Sequence, residues 1–420
     1  MDADRNFSNM THTEELMEID QQVAYLMSGT EYGDEELKQA MADELRERLI
    51  EARDEGRPLR VYCGFDPRTS DLHLGHTVPL RKLRQFQELG HQAIVVVGNY
   101  TSLIGDPSDK DKLRPQLSPE EVAFNARTYA EQAYKILDPE KTEIRFNAEW
   151  LSELSFEQLI QLASNFTVQQ FLTRENFKLR WENGDPIYLH ETFYSLMQGY
   201  DAYALKADVQ VGGTDQLFNI VTAARKLMSF LGARPNIAII TGILPGTDGV
   251  VRMSKSLGNH IPLLSSPEDM YGKIMSLPDN AMGAFLRLVT DRKPEEVAEL
   301  EAAISSGQLH PKDAKMRLAH EIVSIYHSKE ESDRAQEEFV RVFQQGDLPE
   351  DIPDYRLKPG QSVLDVLEAS ELVSSRSEGR RLVDQNGVRL DGEVLTDPNQ
   401  AFPHPGVLQA GKRRFRRIIE

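Results

Sequence analysis

The stretch "YCGFDPRTSDLHLGH", residues 62–76, sets His73 and His76 three apart with Gly75 between them, where a strand-like apolar run hands over to a helix. Three chemistries compete for such a pair. Two zinc-binding histidines on a helix usually stand at i, i+4, as in H-E-x-x-H. Here the spacing is i, i+3, so no protein-bound metal site is expected. A plain polar helix start is the second reading. The third is anion binding: the N–H groups and dipole of a helix N-terminus favour a bound anion, glycine lets a ligand approach the backbone, and two imidazoles would donate to phosphate oxygens.

Two further stretches bear chemistry. "GTDGVVRMSKSLGN", residues 246–259, is a glycine-rich loop with Arg252, Lys255 and two serines; taken by itself it is a basic surface loop. "YSLMQGYD" places Tyr194, Gln198 and Asp201 at i, i+4 and i+7, on one helix face. Polar side chains in such a stripe line a polar pocket rather than a core. "VGGTDQ" closes a strand, at the end where open α/β sheets place their ligands.

The elements that must position these residues alternate. Residues 35–54 carry Leu37, Met41, Leu45 and Leu49 at helical spacing, and "LRVYCGF" (59–65) reads as a buried strand. A helix through Val78, Leu80, Leu83, Phe86 and Leu89 stops at Gly90, and "AIVVVGN" (93–99) is β-branched throughout, as central parallel strands are. Ser118, Pro119 and Glu121 form a capping box with proline at the first helical position. "EIRFN", "DVQVGG" and "NIAIITG" are further strands. The expected fold class is α/β: a Rossmann-like, doubly wound parallel sheet with a helical insertion, then an α-helical domain and a small α+β domain. The boundaries predicted are an N-terminal helical region at 1–58, a catalytic domain at 59–250 with the insertion at about 115–205, a loop and helical domain at 251–345, a Pro/Gly/Asp-rich linker at 346–361 and the small domain at 362–420.

Composition narrows the class. With 420 residues, 40% hydrophobic and 27% charged, the chain reads as a multidomain globular protein. No apolar run of about eighteen residues occurs, so no membrane association is expected. The acidic start "MDADRNFSNMTHTEELMEID" lacks the apolar stretch of a secretory signal. Cys63 is the lone cysteine, which excludes an internal disulfide and points to a reducing cytoplasm. The net charge of −19 argues against nonspecific coating of nucleic acid. Residues 356–420 nevertheless hold 11 Lys+Arg against 9 Asp+Glu, ending in "KRRFRR", which reads as a local anion-binding patch.

Together, H-x-G-H and M-S-K-S about 180 residues apart resemble the HIGH and KMSKS signatures of class I aminoacyl-tRNA synthetases, over almost the whole chain. "YCGFDP", "GDPS" at 105, "YSLMQGYD" and "VGGTDQ" narrow the resemblance to the tyrosyl-tRNA synthetases. It implies a cytoplasmic homodimer with its interface on the insertion, using ATP and Mg²⁺ to activate L-tyrosine, then charging tRNA(Tyr). By that resemblance His73, His76, Lys255 and Arg252 are catalytic, meeting the ATP phosphates. Arg252 stands where the motif has lysine, exchanging a point charge for a planar fork. Lys110 and Arg114 would lie on a loop near pyrophosphate.

Further roles are implied in the same way. Tyr62 and Asp201 would contact the phenol hydroxyl, Tyr194, Gln198 and Asp106 the α-ammonium, and Gln216 the substrate carboxylate. Cys63, Gly64 and Asp66 would line the nucleotide side, and Gly213 and Asp215 meet the ribose. "SVLDVLEASELVSSRSEGRRLVDQNGVRLDG" resembles the S4 RNA-binding module, with Arg376, Arg380, Arg381, Lys412 and Arg413 toward tRNA and Asp391-Gly392 as a hairpin turn. The alternatives are a tryptophan-specific synthetase, which the phenol-seeking Tyr62 and Asp201 disfavour, and a non-catalytic RNA-binding paralogue.

Overall fold

The computed structural model describes residues 17–67, 71–107, 118–342, 352–411 and 414–420. Helices α1 (Ile19–Met27) and α2 (Glu35–Glu55) precede strand β1 (Arg60–Phe65), and α3 (Leu74–Glu88) leads to β2 (Gln92–Val97). α4 (Pro119–Ala133) precedes β3 (Thr142–Phe146). The helices α5 (Ala148–Leu151), α6 (Phe156–Ala163), α7 (Val168–Leu172), α8 (Glu175–Asn183) and α9 (Leu189–Ala204) then run to β4 (Val209–Gly213). A helix that is π-wound over Phe218–Ala224 continues as α10 (Arg225–Phe230) and delivers β5 (Ile237–Thr241).

Local chemistry explains the boundaries. The Asp34 carboxylate caps α2 by accepting from the Glu36 and Leu37 amides, and Gly56 ends the helix in the left-handed region. Ser118 and Glu121 make the predicted reciprocal cap of α4. The sheet runs β3-β2-β1-β4-β5, with every neighbouring pair parallel. Ala93 to Val97 of β2 are all buried, as a strand covered on both faces requires. The chain winds outward from β1 to β3 and resumes with β4 on the other side of β1. A crevice therefore opens beyond the C-terminal ends of β1 and β4.

The chain divides into two compact units. The first holds the sheet together with Ser276–Tyr326, including α12 (Met282–Val289), α13 (Pro294–Ser305) and α14 (Pro311–Tyr326); α11 (Pro267–Met275) belongs to the second. In the first unit Tyr326 Oη donates to Thr77 Oγ1 at 2.8 Å, tying α14 to α3. The second unit adds α15 (Lys329–Val340), β6 (Asp354–Arg356), α16 (Val363–Ala369), α17 (Arg376–Asp384), β7 (Val388–Leu390), β8 (Glu393–Val394), β9 (Gly406–Ala410) and β10 (Arg414–Ile419). Its sheet order is β6-β10-β9-β7-β8. Asp391 and Gly392 both take positive φ, forming the predicted hairpin turn.

The structure departs from the sequence-based boundaries in two places. The tract read as a linker, 346–361, carries β6, because Asp354–Arg356 pair in parallel with β10 and so enter the small domain's sheet. The helices expected as one domain at 251–345 are shared between the two units.

Candidate active site

A cavity of about 550 Å³ occupies the crevice. Its walls are the ends of β1, β2, β4 and β5, the start of α3, one face of α9, and the loop bearing Arg252 and Lys255. That size suits a small-molecule substrate. His73, His76, Tyr62, Cys63, Gly64, Asp66, Asp106, Tyr194, Gln198, Asp201, Gly213, Asp215 and Gln216 all line it.

The two signatures meet through the backbone. The Leu74 amide donates to the Ile261 carbonyl at 3.0 Å and the Leu263 amide to the Leu72 carbonyl at 2.9 Å. This seam joins the mouth of α3 to the segment leaving the 246–259 loop. The loop is folded on itself by Asn259, whose Oδ1 accepts from the Ser254 amide at 2.8 Å and whose Nδ2 donates to the Arg252 carbonyl at 3.1 Å. Lys255 Nζ sits 3.0 Å from Asp71 Oδ2. Both groups are exposed enough that this ion pair contributes little and can be exchanged for a phosphate.

The histidines cap their own helix. The Gly75 amide donates to His73 Nδ1 at 3.2 Å, and the His73 amide donates to His76 Nδ1 at 3.2 Å. A Cβ on residue 75 would stand 3.0 Å from the His73 ring, so glycine permits this cap. With each Nδ1 accepting, each neutral ring carries its proton on Nε2. The rings lie face to face at a tilt of 36°, with centroids 3.9 Å apart. Burial, then His76, His260 and Arg252, push His73 down to about 2; burial and His260 push His76 down to about 4. The pair offers uncharged N–H donors.

At the other end, α9 presents Tyr194 and Asp201, both buried. Asp201 accepts from Trp150 Nε1 at 2.7 Å and from Asn147 Nδ2 at 3.3 Å. Burial raises its carboxyl to about 8 although both donors oppose this. Tyr62 Oη donates to the Gln198 carbonyl at 3.4 Å, so its hydroxyl is directed at α9 backbone, with the Asp201 carboxyl close by. Tyr194 Oη donates to Asp66 Oδ2 at 3.2 Å, and Thr101 Oγ1 to Asp66 Oδ1 at 2.7 Å. Gln216 Nε2 donates to Asp106 Oδ2 at 2.5 Å and to Asp215 Oδ2 at 3.3 Å. Burial and Asp106 raise Asp215 to about 6, and burial raises the Cys63 thiol.

Sequence reasoning assigned Asp106 to the α-ammonium and Gln216 to the carboxylate of the amino acid, and here the two side chains are direct partners. It placed Asp66 on the nucleotide side, and here Asp66 accepts from Tyr194 of α9. It missed Trp150, Asn147, Thr101 and Asp71. "NAEW" does set an amide and an indole three apart, but nothing in that spacing reveals a target 51 residues away.

In the second unit, Ser375 caps α17, and Arg380 and Arg381 are exposed. Arg376 is held 2.6 Å from Asp365 and 3.6 Å from Glu368, which engages the guanidinium within the domain. Lys412, Arg413, Lys110 and Arg114 lie outside the described residues.

Residues 54–344 match the family "tRNA synthetases class I (W and Y)", and residues 361–402 match the S4 domain. Tyrosine–tRNA ligase of Moorella thermoacetica is 49% identical over 379 residues, 90% of this chain and 92% of that protein. The tyrosine–tRNA ligase of Carboxydothermus hydrogenoformans is 47% identical over 387 residues, 90% and 94% of the two chains. Among solved structures, tyrosyl-tRNA synthetase of Archaeoglobus fulgidus complexed with L-tyrosine aligns with TM-score 0.58 at 23% identity, covering 76% of this chain and 100% of that one. Tryptophanyl-tRNA synthetase of Giardia lamblia shares the fold with TM-score 0.53 at 18% identity, covering 69% and 82%. The chain belongs to the tyrosine–tRNA ligases, within the class I tRNA synthetases that serve tryptophan and tyrosine, and carries an S4 domain.

Proposed function

We propose that this pocket joins L-tyrosine to ATP, forming tyrosyl-adenylate and pyrophosphate, and then passes the tyrosyl group to the 3′ end of tRNA(Tyr). One observation carries the reading. His73, His76, Arg252 and Lys255 line the same cavity as Tyr62 and Asp201, so phosphate-seeking donors and a phenol-seeking carboxylate share one space. The tyrosine carboxylate attacks the α-phosphorus in line, and pyrophosphate leaves. The protein's part is positioning and the stabilisation of charge growing on the phosphates. The two Nε2–H groups donate to phosphate oxygens from the helix side, while Lys255 and Arg252 approach from the loop. Asp201 and Tyr62 recognise the phenol, and Asp106 and Tyr194 hold the ammonium. Gln198 completes that subsite, Gln216 meets the substrate carboxylate, and Gly213 and Asp215 meet the ribose.

Mg²⁺ travels with the triphosphate, whose oxygens are the hard ligands it prefers. The protein groups proposed at that end are imidazoles, an ammonium and a guanidinium, which do not compete for it. A homodimer is supported by an exposed apolar set on the insertion: Phe156, Ile160, Val168, Trp181 and Leu189 are each more than half exposed. The S4 domain, with Arg380 and Arg381, meets tRNA phosphates. Cytoplasmic placement rests on the single, buried Cys63; among the described residues no helix is long and apolar enough to cross a membrane.

The test is amino-acid-dependent ATP–pyrophosphate exchange across the twenty amino acids, followed by charging of tRNA(Tyr). Tyrosine should support exchange; exchange with tryptophan in its place would overturn the specificity, and none with any amino acid would leave an RNA-binding paralogue.

A further inference from the structure

Behind the amino-acid end of the pocket, five side chains close a ring. Arg174, between α7 and α8, donates from Nη1 to Ser195 Oγ at 2.9 Å. Ser195 Oγ donates to Asn219 Oδ1 at 2.7 Å, and Asn219 Nδ2 donates to Gln216 Oε1 at 3.0 Å. Gln216 Nε2 reaches Asp106 Oδ2 at 2.5 Å, and Asp106 Oδ1 stands 4.0 Å from Arg174 Nη2. Ser195 and Asn219 are fully buried and Arg174 nearly so. The Arg174 guanidinium lies over the rings of Phe177 and Phe218, at 5.0 and 5.3 Å from their centroids. The π-wound turn of Phe218–Ala224 carries Asn219.

The ring has a direction, and Arg174 sets it. A guanidinium has donors and no acceptor. Ser195 therefore accepts from it and spends its own proton on Asn219. Asn219 must then turn its oxygen toward Ser195 and its NH₂ toward Gln216. Gln216 in turn accepts at Oε1 and points its NH₂ at Asp106 and Asp215. With the opposite amide orientation its oxygen would face two carboxylates. The same guanidinium keeps a positive charge 4.0 Å from Asp106.

We propose that Arg174 is a positioning residue for the amino-acid backbone subsite. Through Ser195 and Asn219 it fixes Gln216 as a donor to the substrate carboxylate, and its own charge beside Asp106 holds that carboxylate in place for the substrate ammonium. The inference rests on the tyrosine-activating reading and extends it to groups that do not touch substrate. It predicts a loss confined to one end of the amino acid, with the phenol end intact.

The experiment compares wild type, Arg174→Met, Arg174→Lys and Ser195→Ala by pyrophosphate exchange with tyrosine and with phenylalanine, and by calorimetric titration of tyrosine. Methionine keeps an apolar stem between the two phenyl rings and removes donor and charge. Arg174→Met should raise the tyrosine KM about tenfold to a hundredfold, as loss of a buried charge-assisted hydrogen bond does. The KM for ATP and the tyrosine-to-phenylalanine ratio of kcat/KM should stay within about threefold of wild type. Arg174→Lys should recover part of the loss, and Ser195→Ala, which leaves the charge in place, should cost roughly threefold to tenfold. Adding Arg174→Met to Asp106→Asn should cost less than the product of the two separate losses. An unchanged tyrosine KM in Arg174→Met overturns the proposal. So does a collapse of ATP affinity or of the tyrosine-to-phenylalanine ratio alongside it, which would make Arg174 a general structural support. Failure of the parent reading would appear in the wild-type titration with tyrosine; failure of this inference appears in the variants.

Discussion

Trp150 donates its indole N–H to Oδ1 of Asp201 at 2.7 Å, from α5 to α9. That contact and the one from Asn147 oppose the burial that lifts Asp201 to about 8. Trp150→Phe keeps most of the ring and removes the donor, so burial prevails and the carboxyl holds its proton more firmly. Tyrosine affinity should fall about tenfold, while phenylalanine, with no hydroxyl to place, should change little. Calorimetric titration of both amino acids checks this; an unaltered tyrosine affinity would show that Asp201 does not depend on the indole.

The histidine pair leads to a kinetic expectation. His76→Ala removes one of the two Nε2–H donors proposed to meet the phosphates. Adenylate formation, followed by rapid quench, should slow by about tenfold to a thousandfold, with tyrosine affinity nearly intact. Because both rings titrate far below neutrality, the KM for ATP should be insensitive to imidazole protonation from pH 8 down to 6. A rise in that KM with a midpoint near 6.5 would mean that the rings bind phosphate as cations.

Stability should respond to pH with opposite signs at the two ends of the cavity. For His76 the folded value, about 4, lies below the ordinary 6.5. Its stabilising contribution is present above 6.5 and is lost as pH falls from there through 4. For Asp201 the folded value of about 8 lies above the ordinary 3.8, so its contribution is present below 3.8 and is lost as pH rises through 8. Urea unfolding of His76→Asn should lack part of the acid-side decline, by about 1–3 kcal/mol between pH 7 and 4.5. Asp201→Asn should flatten the decline on the alkaline side.

For the S4 domain, replacing Arg380 and Arg381 together by alanine should lower kcat/KM for tRNA charging about tenfold and leave pyrophosphate exchange untouched. If both side chains meet phosphates, the slope of log affinity against log salt should fall by about 2. Filter binding over a salt series measures it, and an unchanged slope would place the tRNA elsewhere.

The insertion gives an expectation about assembly. Leu189 is 72% exposed and Trp181 67% exposed, too much apolar surface to be explained by packing within one chain. Leu189→Asp with Trp181→Glu should convert a dimer to a monomer in sedimentation equilibrium. A wild-type chain that sediments as a monomer would remove the basis for the interface.

The fold was legible where periodicity is strong. The all-apolar run through Ile94 and Val97 could scarcely be other than a central strand, and the Ser118–Glu121 cap and the Asp391-Gly392 turn follow from local chemistry that tertiary contacts do not override. The cavity's lining was legible because short motifs carry it. Its internal wiring was not. Arg174 lies in none of the motifs, and its aromatic bed of Phe177 and Phe218 forms only when α8 meets the π-wound turn. Likewise the pairing of Gln216 with Asp106 joins residues 110 apart, a distance over which no local pattern holds information. The three-residue strand Asp354–Arg356 exists by virtue of its partner β10, which is why a Pro- and Gly-rich tract resembled a spacer.

The imidazole cap has a consequence for turnover. Since the rings are uncharged, a helix mouth that takes the phosphates as proposed would grip them by direction rather than by net charge, and the strong attraction would sit on Lys255 and Arg252. On that reading, pyrophosphate separated from the basic segment would be left in a weak, neutral cradle, which would favour its escape.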